Sequence, residues 1–86
     1  MEKFLIEITD TYGGEANYSW VKRYIVRAKS IRGAICKLAR SQGSGWVKDY
    51  DTGDAARYNL QGACVCCFVN YLDDSMVSSF NGTREL

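Results

Sequence analysis

The stretch SIRGAICKLARSQG, residues 30–43, decides the fold of this chain. Its apolar residues recur at helical spacing and form one stripe along a helix: Ile31, Ala34, Ile35, Leu38 and Ala39. Ser30 occupies the N-cap position, where a side-chain hydroxyl accepts a hydrogen bond from a first-turn N–H. Gly43 is the natural stop, because glycine readily takes the left-handed conformation that closes a helix. The pattern predicts an amphipathic helix over 31–42.

Around this helix, the hydrophobic pattern has a period of two and predicts the sheet on which the helix packs. The expected strands are 3–9, 18–28, 46–50, a weaker stretch at 55–60, and 62–72. Residues 62–72 are apolar on both faces, which is typical of a strand in the centre of a sheet. If the helix covers one face of that strand, the other face must meet a loop, a second subunit or a partner.

The sequence therefore predicts an α+β fold in β-β-α-β-β order, with an antiparallel sheet of about four strands and one helix packed on one face. A length of 86 residues with 47% hydrophobic composition predicts a single domain over 1–86. The tail, 73–86, has no clear period and is expected to fray, although Met76, Val77 and Phe80 could pack a final turn of helix.

The sequence also limits where the protein is expected to act in the cell and which reactions its side chains could catalyse. The N-terminal apolar run is too short for a signal peptide, and no segment is long enough to span a bilayer. We therefore expect a cytoplasmic protein, in which the 4 cysteines stay reduced. Histidine is absent, which removes the side chain best suited to proton transfer near neutral pH.

A cysteine cluster raises the question of a metal site. Cys64, Cys66 and Cys67 lie close together, and Cys36 could complete a four-thiolate zinc site. Zinc ligands of this spacing normally sit on a turn that aims both sulfurs inward. Here the pair falls inside a predicted strand, where Cys64 and Cys67 would point to opposite faces. We interpret them as buried free cysteines and expect no metal and no cofactor.

Asp51-Thr52-Gly53 matches the tripeptide at the catalytic centre of aspartic proteases. That chemistry needs two carboxylates that share a proton, so a chain this short would have to dimerise. The polar residues 48–50 precede the tripeptide in place of an apolar strand, which favours an ordinary turn. Since the sequence also lacks a phosphate-binding glycine loop and a recognisable nucleophile–base pair, we expect no enzyme.

Charge is distributed unevenly along the chain. Between 16 and 48 stand eight basic residues and no acidic one, whereas the rest holds three basic and ten acidic residues. Such a field attracts a charged partner, although exposed helix faces are ordinarily charged as well. Trp20, Tyr24 and Trp46 could stack on bases, but core packing is the commoner role of aromatic residues in a small domain.

Residues 18–42 carry a further pattern. A strand runs into Arg27-Ala28-Lys29-Ser30, and the helix contains Ala34-Ile35-Cys36-Lys37-Leu38-Ala39. This order resembles small phage-encoded α+β proteins, among them several anti-CRISPR proteins, which have a strand, an A-x-S helix entry and an A-I-x-K helix. The resemblance implies steric blocking of a bacterial nucleoprotein machine inside the host cell, and it supplies no catalytic motif.

The leading hypothesis is a non-enzymatic phage or prophage inhibitor that binds a bacterial protein or nucleoprotein complex, such as a CRISPR-Cas component. Its predicted partner-binding residues are Lys22, Arg23, Arg27, Lys29, Arg32, Lys37, Arg40 and Trp20. The alternative is a small nucleic-acid-binding module that uses the basic 16–48 surface, with affinity that falls steeply with salt. A third class, a homodimeric or larger phage assembly, would pair through 62–72. No membrane partner is expected.

Overall fold

The computed structural model describes residues 2–10, 21–77, 79 and 82–86. Its elements, in chain order, are β1 (Glu2–Asp10), β2 (Val21–Ala28), α1 (Ile31–Gln42), β3 (Trp46–Asp51), β4 (Ala55–Leu60), β5 (Val65–Tyr71), α2 (Asp74–Val77) and β6 (Arg84–Glu85). Trp20 and Phe80 lie outside the described residues, as does the part of the predicted second strand at 18–20. Within these ranges, no helix is both long and apolar enough to cross a membrane.

Helix α1 begins and ends where the sequence predicts. The Ser30 hydroxyl accepts a hydrogen bond from the Gly33 N–H at 3.2 Å. At the other end, the Gly43 N–H donates to the Ala39 carbonyl at 3.0 Å. Gly43 does so with a φ of 108°, a conformation that side chains other than glycine rarely adopt. Arg40 in the last turn adds a favourable interaction with the helix dipole.

The strands form one mixed sheet in the order β3-β4-β5-β1-β2-β6. The α+β class and the single helix on one face are confirmed, and β5 lies inside the sheet as its apolar pattern predicts. The expected antiparallel sheet of about four strands needs correction. The weaker stretch at 55–60 is a full strand, and β6 pairs in parallel with β2. A two-residue strand has no period, so the sequence pattern gave no sign of it.

The sequence predicts a strand that begins at 62, but β5 begins at Val65. Gly62 takes a φ of 79°, which an extended strand does not allow. The Ala63 N–H donates to the Leu60 carbonyl at 3.3 Å and closes a turn there. Cys64 therefore lies in the turn between β4 and β5 and not within the strand.

The core lies between α1 and one face of the sheet. The apolar stripe of the helix packs on buried side chains from four strands: Phe4, Ile6, Ile8, Tyr24, Val26, Ala28, Ala56, Tyr58, Cys67 and Val69. Trp46 and Leu86 are partly buried against the same cluster. Tyr24 thus has the core role that aromatic residues usually have in a small domain, whereas Trp46 is only partly covered by the core.

On the opposite face of the sheet, the arginines of β2 are paired with carboxylates. The Arg23 Nε lies 2.9 Å from a carboxylate oxygen of Glu7, its cross-strand neighbour on β1. The Arg27 Nε lies 2.8 Å from a carboxylate oxygen of Glu85. Exposed pairs of this kind contribute about 0–1 kcal/mol of stability.

Arg57 of β4 is also occupied on this face. Its guanidinium carbon lies 5.6 Å from the centre of the Phe68 ring, within range for a cation–π contact. Its Nε lies 3.7 Å from a carboxylate oxygen of Asp49, close enough for an ion pair and too long for a hydrogen bond. The Arg57–Asp49 pair ties the edge strand β3 to β4.

Replacing Leu38 tests the packing of α1 on the sheet. Leu38 is fully buried, so Leu38→Ala should lower the free energy of unfolding by about 2–5 kcal/mol, through lost apolar contact and the cavity left behind. Arg40→Ala is the matched control, because this side chain is exposed two residues further along the helix. Urea denaturation measures both variants, and equal unfolding midpoints would contradict the packing described here.

Candidate functional site

An open cleft of about 350 Å³ lies where α1 meets β3 and β4. Its lining residues are Arg32, Ile35 and Cys36 of the helix and Trp46, Lys48 and Tyr58 of the strands. We refer to it as the cationic cleft.

Local structure explains why these side chains converge. Arg32 and Cys36 are one helical turn apart and share a flank of α1. Trp46 and Lys48 alternate along β3 and so point to the same face of the sheet. The pairing of β3 with β4 then places Lys48 directly opposite Tyr58.

The cationic cleft takes its charge from two elements. Arg32 comes from the first turn of α1 and Lys48 from β3, and both residues are exposed. Within the described part of the chain, neither side chain has a carboxylate within ion-pair distance. Two such cations beside a low-dielectric surface attract an anionic group.

Aromatic and apolar side chains, with Ile35 among them, form the rest of the cleft. The indole Nε1–H of Trp46 is buried and has no acceptor among the described residues. Burial raises the pKa of Tyr58, the Asp51 carboxylate raises it further, and the Arg32 guanidinium acts in the opposite direction. Tyr58 therefore stays a neutral phenol at neutral pH, and its hydroxyl can donate a hydrogen bond.

The predicted contact residues do not lie together. Arg23 and Arg27 are on the sheet face opposite the helix, and the Lys37 ammonium donates a hydrogen bond to the Arg27 backbone carbonyl. Of the candidates within the described ranges, Arg32 is the one that lines the cationic cleft. The remaining candidates are exposed outside it, namely Lys22, Lys29 and Arg40. Trp20 is outside the described residues.

Sequence patterns did not select Lys48 and Tyr58 as binding residues. Lys48 was counted among the basic residues of 16–48, but its position next to Tyr58 depends on the pairing of two strands. The one available signal was the alternation of Trp46 with Lys48 in the predicted strand, which places both on one face. Nothing local indicated that Arg32 would reach them.

All 4 cysteines are free thiols. Cys66 and Cys67 are buried, as the sequence predicts, and they point to opposite faces of β5. The expectation of burial was wrong for Cys64, because the turn at Gly62 places it outside the strand, where it is exposed. Among the described residues, no cluster of three or more acidic or cysteine side chains could hold a metal ion.

Asp51-Thr52-Gly53 forms the turn between β3 and β4, as the turn interpretation predicts. The Gly53 N–H donates to the Asp51 Oδ1 at 2.8 Å. The Thr52 hydroxyl donates to the Ala55 carbonyl at 3.1 Å. These are the side-chain-to-backbone bonds by which Asp and Thr stabilise turns.

Comparison with known proteins adds no relative. No protein-family model matches the chain, and no curated protein matches it significantly. No solved structure matches it significantly either. A functional conclusion therefore depends on the residues of this chain.

Thiol reactivity tests the burial of the cysteines. We expect a disulfide reagent such as Ellman's reagent to modify Cys36 and Cys64 rapidly in the native protein, because both are exposed. Cys66 and Cys67 should react only as the protein unfolds, since their side chains are excluded from solvent. A Cys36→Ser/Cys64→Ser variant should lose the fast phase. Four rapidly reacting thiols in the native protein would contradict the structure.

The pKa of Cys67 predicts a loss of stability in alkali. Burial raises this pKa from 9.0 to about 12, against a smaller opposing effect of a backbone hydrogen bond at Tyr58. As the pH rises above 9, the unfolded chain releases the thiol proton first, so the free energy of unfolding falls. The slope from this group approaches about 1.4 kcal/mol per pH unit. Urea denaturation below and above pH 9.0 should show a smaller fall in the free energy of unfolding for Cys67→Ala than for the original protein. An identical fall in both proteins would show that ionisation of Cys67 is not the cause.

Proposed function

We propose that this protein is a non-enzymatic binding domain that docks on a bacterial protein or nucleoprotein complex and blocks it sterically. The observation that supports this best is the convergence of Arg32 and Lys48 on one aromatic-lined cleft. Because both charges lack a carboxylate partner among the described residues, they are available to an anionic group of another molecule.

The structure narrows the contact surface that we propose. Arg23 and Arg27 already have carboxylate neighbours, and Lys37 is bonded to the backbone. A broad basic surface across β2 and the helix would have to break these contacts on binding. The cationic cleft requires no such exchange, so we assign the contact to Arg32 and Lys48 in place of the wider set.

Two features support binding over catalysis. The chain contains no histidine. Cys36 lines the cationic cleft, but its thiol makes no hydrogen bond to a described residue, and an activated thiol needs a base within reach. The Asp51 carboxylate raises the pKa of Tyr58, and it has a structural role, because it accepts the Gly53 N–H in the turn.

The resemblance of residues 18–42 to anti-CRISPR proteins gives the proposal its most specific form. In that form the protein is a phage or prophage inhibitor, and its target is a CRISPR-Cas component in the bacterial cytoplasm. Such targets expose acidic patches or nucleic acid, and either would supply the anion that the cationic cleft requires.

A second candidate function is a nucleic-acid-binding module that acts without a protein partner. The observation that favours it is the presence of Trp46 and Tyr58 in the same cleft as the two cations. Proteins that bind single strands combine a positive groove with aromatic side chains on which bases stack.

A tagged pull-down from bacterial lysate, with and without nuclease, tests the proposal. Arg32→Glu/Lys48→Glu should reduce partner recovery at least tenfold, a loss of about 1.4 kcal/mol or more in binding free energy. Arg23→Glu/Arg27→Glu is the matched control, since it reverses two charges on the opposite face. This control should recover the partner as the original protein does. Circular dichroism verifies that each variant is folded.

Three results of the pull-down discriminate between the functions. A protein partner that survives nuclease and is lost with the charge reversal supports the inhibitor proposal. Recovery of nucleic acid alone supports the second candidate. Undiminished recovery of a partner by Arg32→Glu/Lys48→Glu would show that the cationic cleft is not the contact.

A further inference from the structure

The cationic cleft carries two kinds of chemical group, and together they select a class of ligand. Arg32 and Lys48 supply positive charge, while Trp46 supplies aromatic surface beside the buried Tyr58. A ligand that suits both is anionic at one end and planar in its body.

We propose that the cationic cleft seats one nucleotide of a single-stranded nucleic acid, with a phosphate at Arg32 and Lys48 and the base against Trp46. This inference rests on the proposed function, because it names the chemistry of the partner at the same contact. It makes the target a nucleoprotein or its nucleic acid and not a bare acidic protein surface.

The cations fit a phosphate. The Arg guanidinium offers a planar fork of N–H donors that matches two phosphate oxygens, and the Lys ammonium acts as a point charge. The two side chains come from a helix and from a strand that pack on each other. The fold therefore fixes the backbone positions from which both charged side chains reach the cleft.

The aromatic surface favours a nucleotide over an acidic side chain. A Glu or Asp of a partner protein would satisfy the charges but would leave Trp46 without a planar group to stack on. A base stacked on an aromatic side chain contributes about 1–3 kcal/mol to binding.

The size and openness of the cleft suit one unit of a strand. Its volume of about 350 Å³ is at the low end of the range for small-ligand pockets, about 300–1,000 Å³. Because the cleft is open to solvent, a nucleotide within a longer strand can enter it. One neutralised phosphate predicts a shallow salt dependence, with a slope of about −0.7 in log K against log salt for a single strand.

Tryptophan fluorescence gives a direct test, because the chain has 2 tryptophans, Trp20 and Trp46. In a Trp20→Phe background, a short single-stranded oligonucleotide of mixed sequence should quench Trp46 in a saturable way at low salt. Arg32→Gln and Lys48→Gln should each weaken binding at least fivefold and flatten the salt slope. Arg23→Gln on the opposite face should change neither. Trp46→Phe, which leaves Trp20 as the reporter, should abolish the saturable signal and serves as a second readout if Trp20→Phe fails to fold.

A polyglutamate peptide of matched charge is the decisive comparison. Quenching by the oligonucleotide and not by polyglutamate supports a nucleotide site. Equal responses to both would overturn the nucleotide assignment and leave a charge-selective contact, as the proposed function requires. Unchanged emission with the oligonucleotide also overturns the inference. The proposed function is then judged separately, since the pull-down measures recovery of a protein partner.

Discussion

The apolar stripe of α1 lies against the face of the sheet that carries Ile6, Val26 and Val69, and Leu38 at the centre of this contact is fully buried. Burying that stripe fixes the rotation of the helix about its axis, so it also fixes where every other helical side chain points. Arg32 and Cys36 are directed to the flank beside β3. Lys37 is directed to the flank beside β2, where it meets a backbone carbonyl. The position of the cationic cleft is thus a consequence of core packing.

A bulge in β3 completes the arrangement. The register of β3 on β4 shifts between Lys48 and Tyr50, so one extra residue lies in the edge strand. Without the shift, Asp51 would point to the face opposite the helix; with it, Asp51 pairs with Ala56 and shares the face of Lys48. Bulges are also one way in which proteins prevent edge strands from pairing with other chains. The same feature therefore interrupts the regular edge and places the Asp51 carboxylate on the helix side of the sheet.

Local features of the fold could be predicted from the sequence, and long-range ones could not. Helix α1 and both its ends follow from spacing and from Ser30 and Gly43, all within one short stretch. Strand β5 was placed correctly inside the sheet because apolar residues on both faces need cover on both. Strand β6 and the meeting of Lys48 with Tyr58 depend on pairing between segments distant in sequence. The charge pattern overestimated the basic surface for the same reason. The carboxylates that pair with Arg23 and Arg27 are distant from them in sequence.

The number of basic residues in the sequence and their positions in the fold predict contact surfaces of different size. Eight basic residues between 16 and 48 suggest a wide electrostatic surface, but the fold distributes them over several faces and leaves two at the cationic cleft. Two cations give limited steering, so affinity has to come from contacts made inside the cleft. The exposed apolar side chains of the same strand, Val47 and Tyr50, pair with β4 on the opposite face and cannot add to that contact. In the binding mode that we propose, selectivity therefore comes from the aromatic surface of Trp46, and a ligand with charge but no planar group would leave that surface unused.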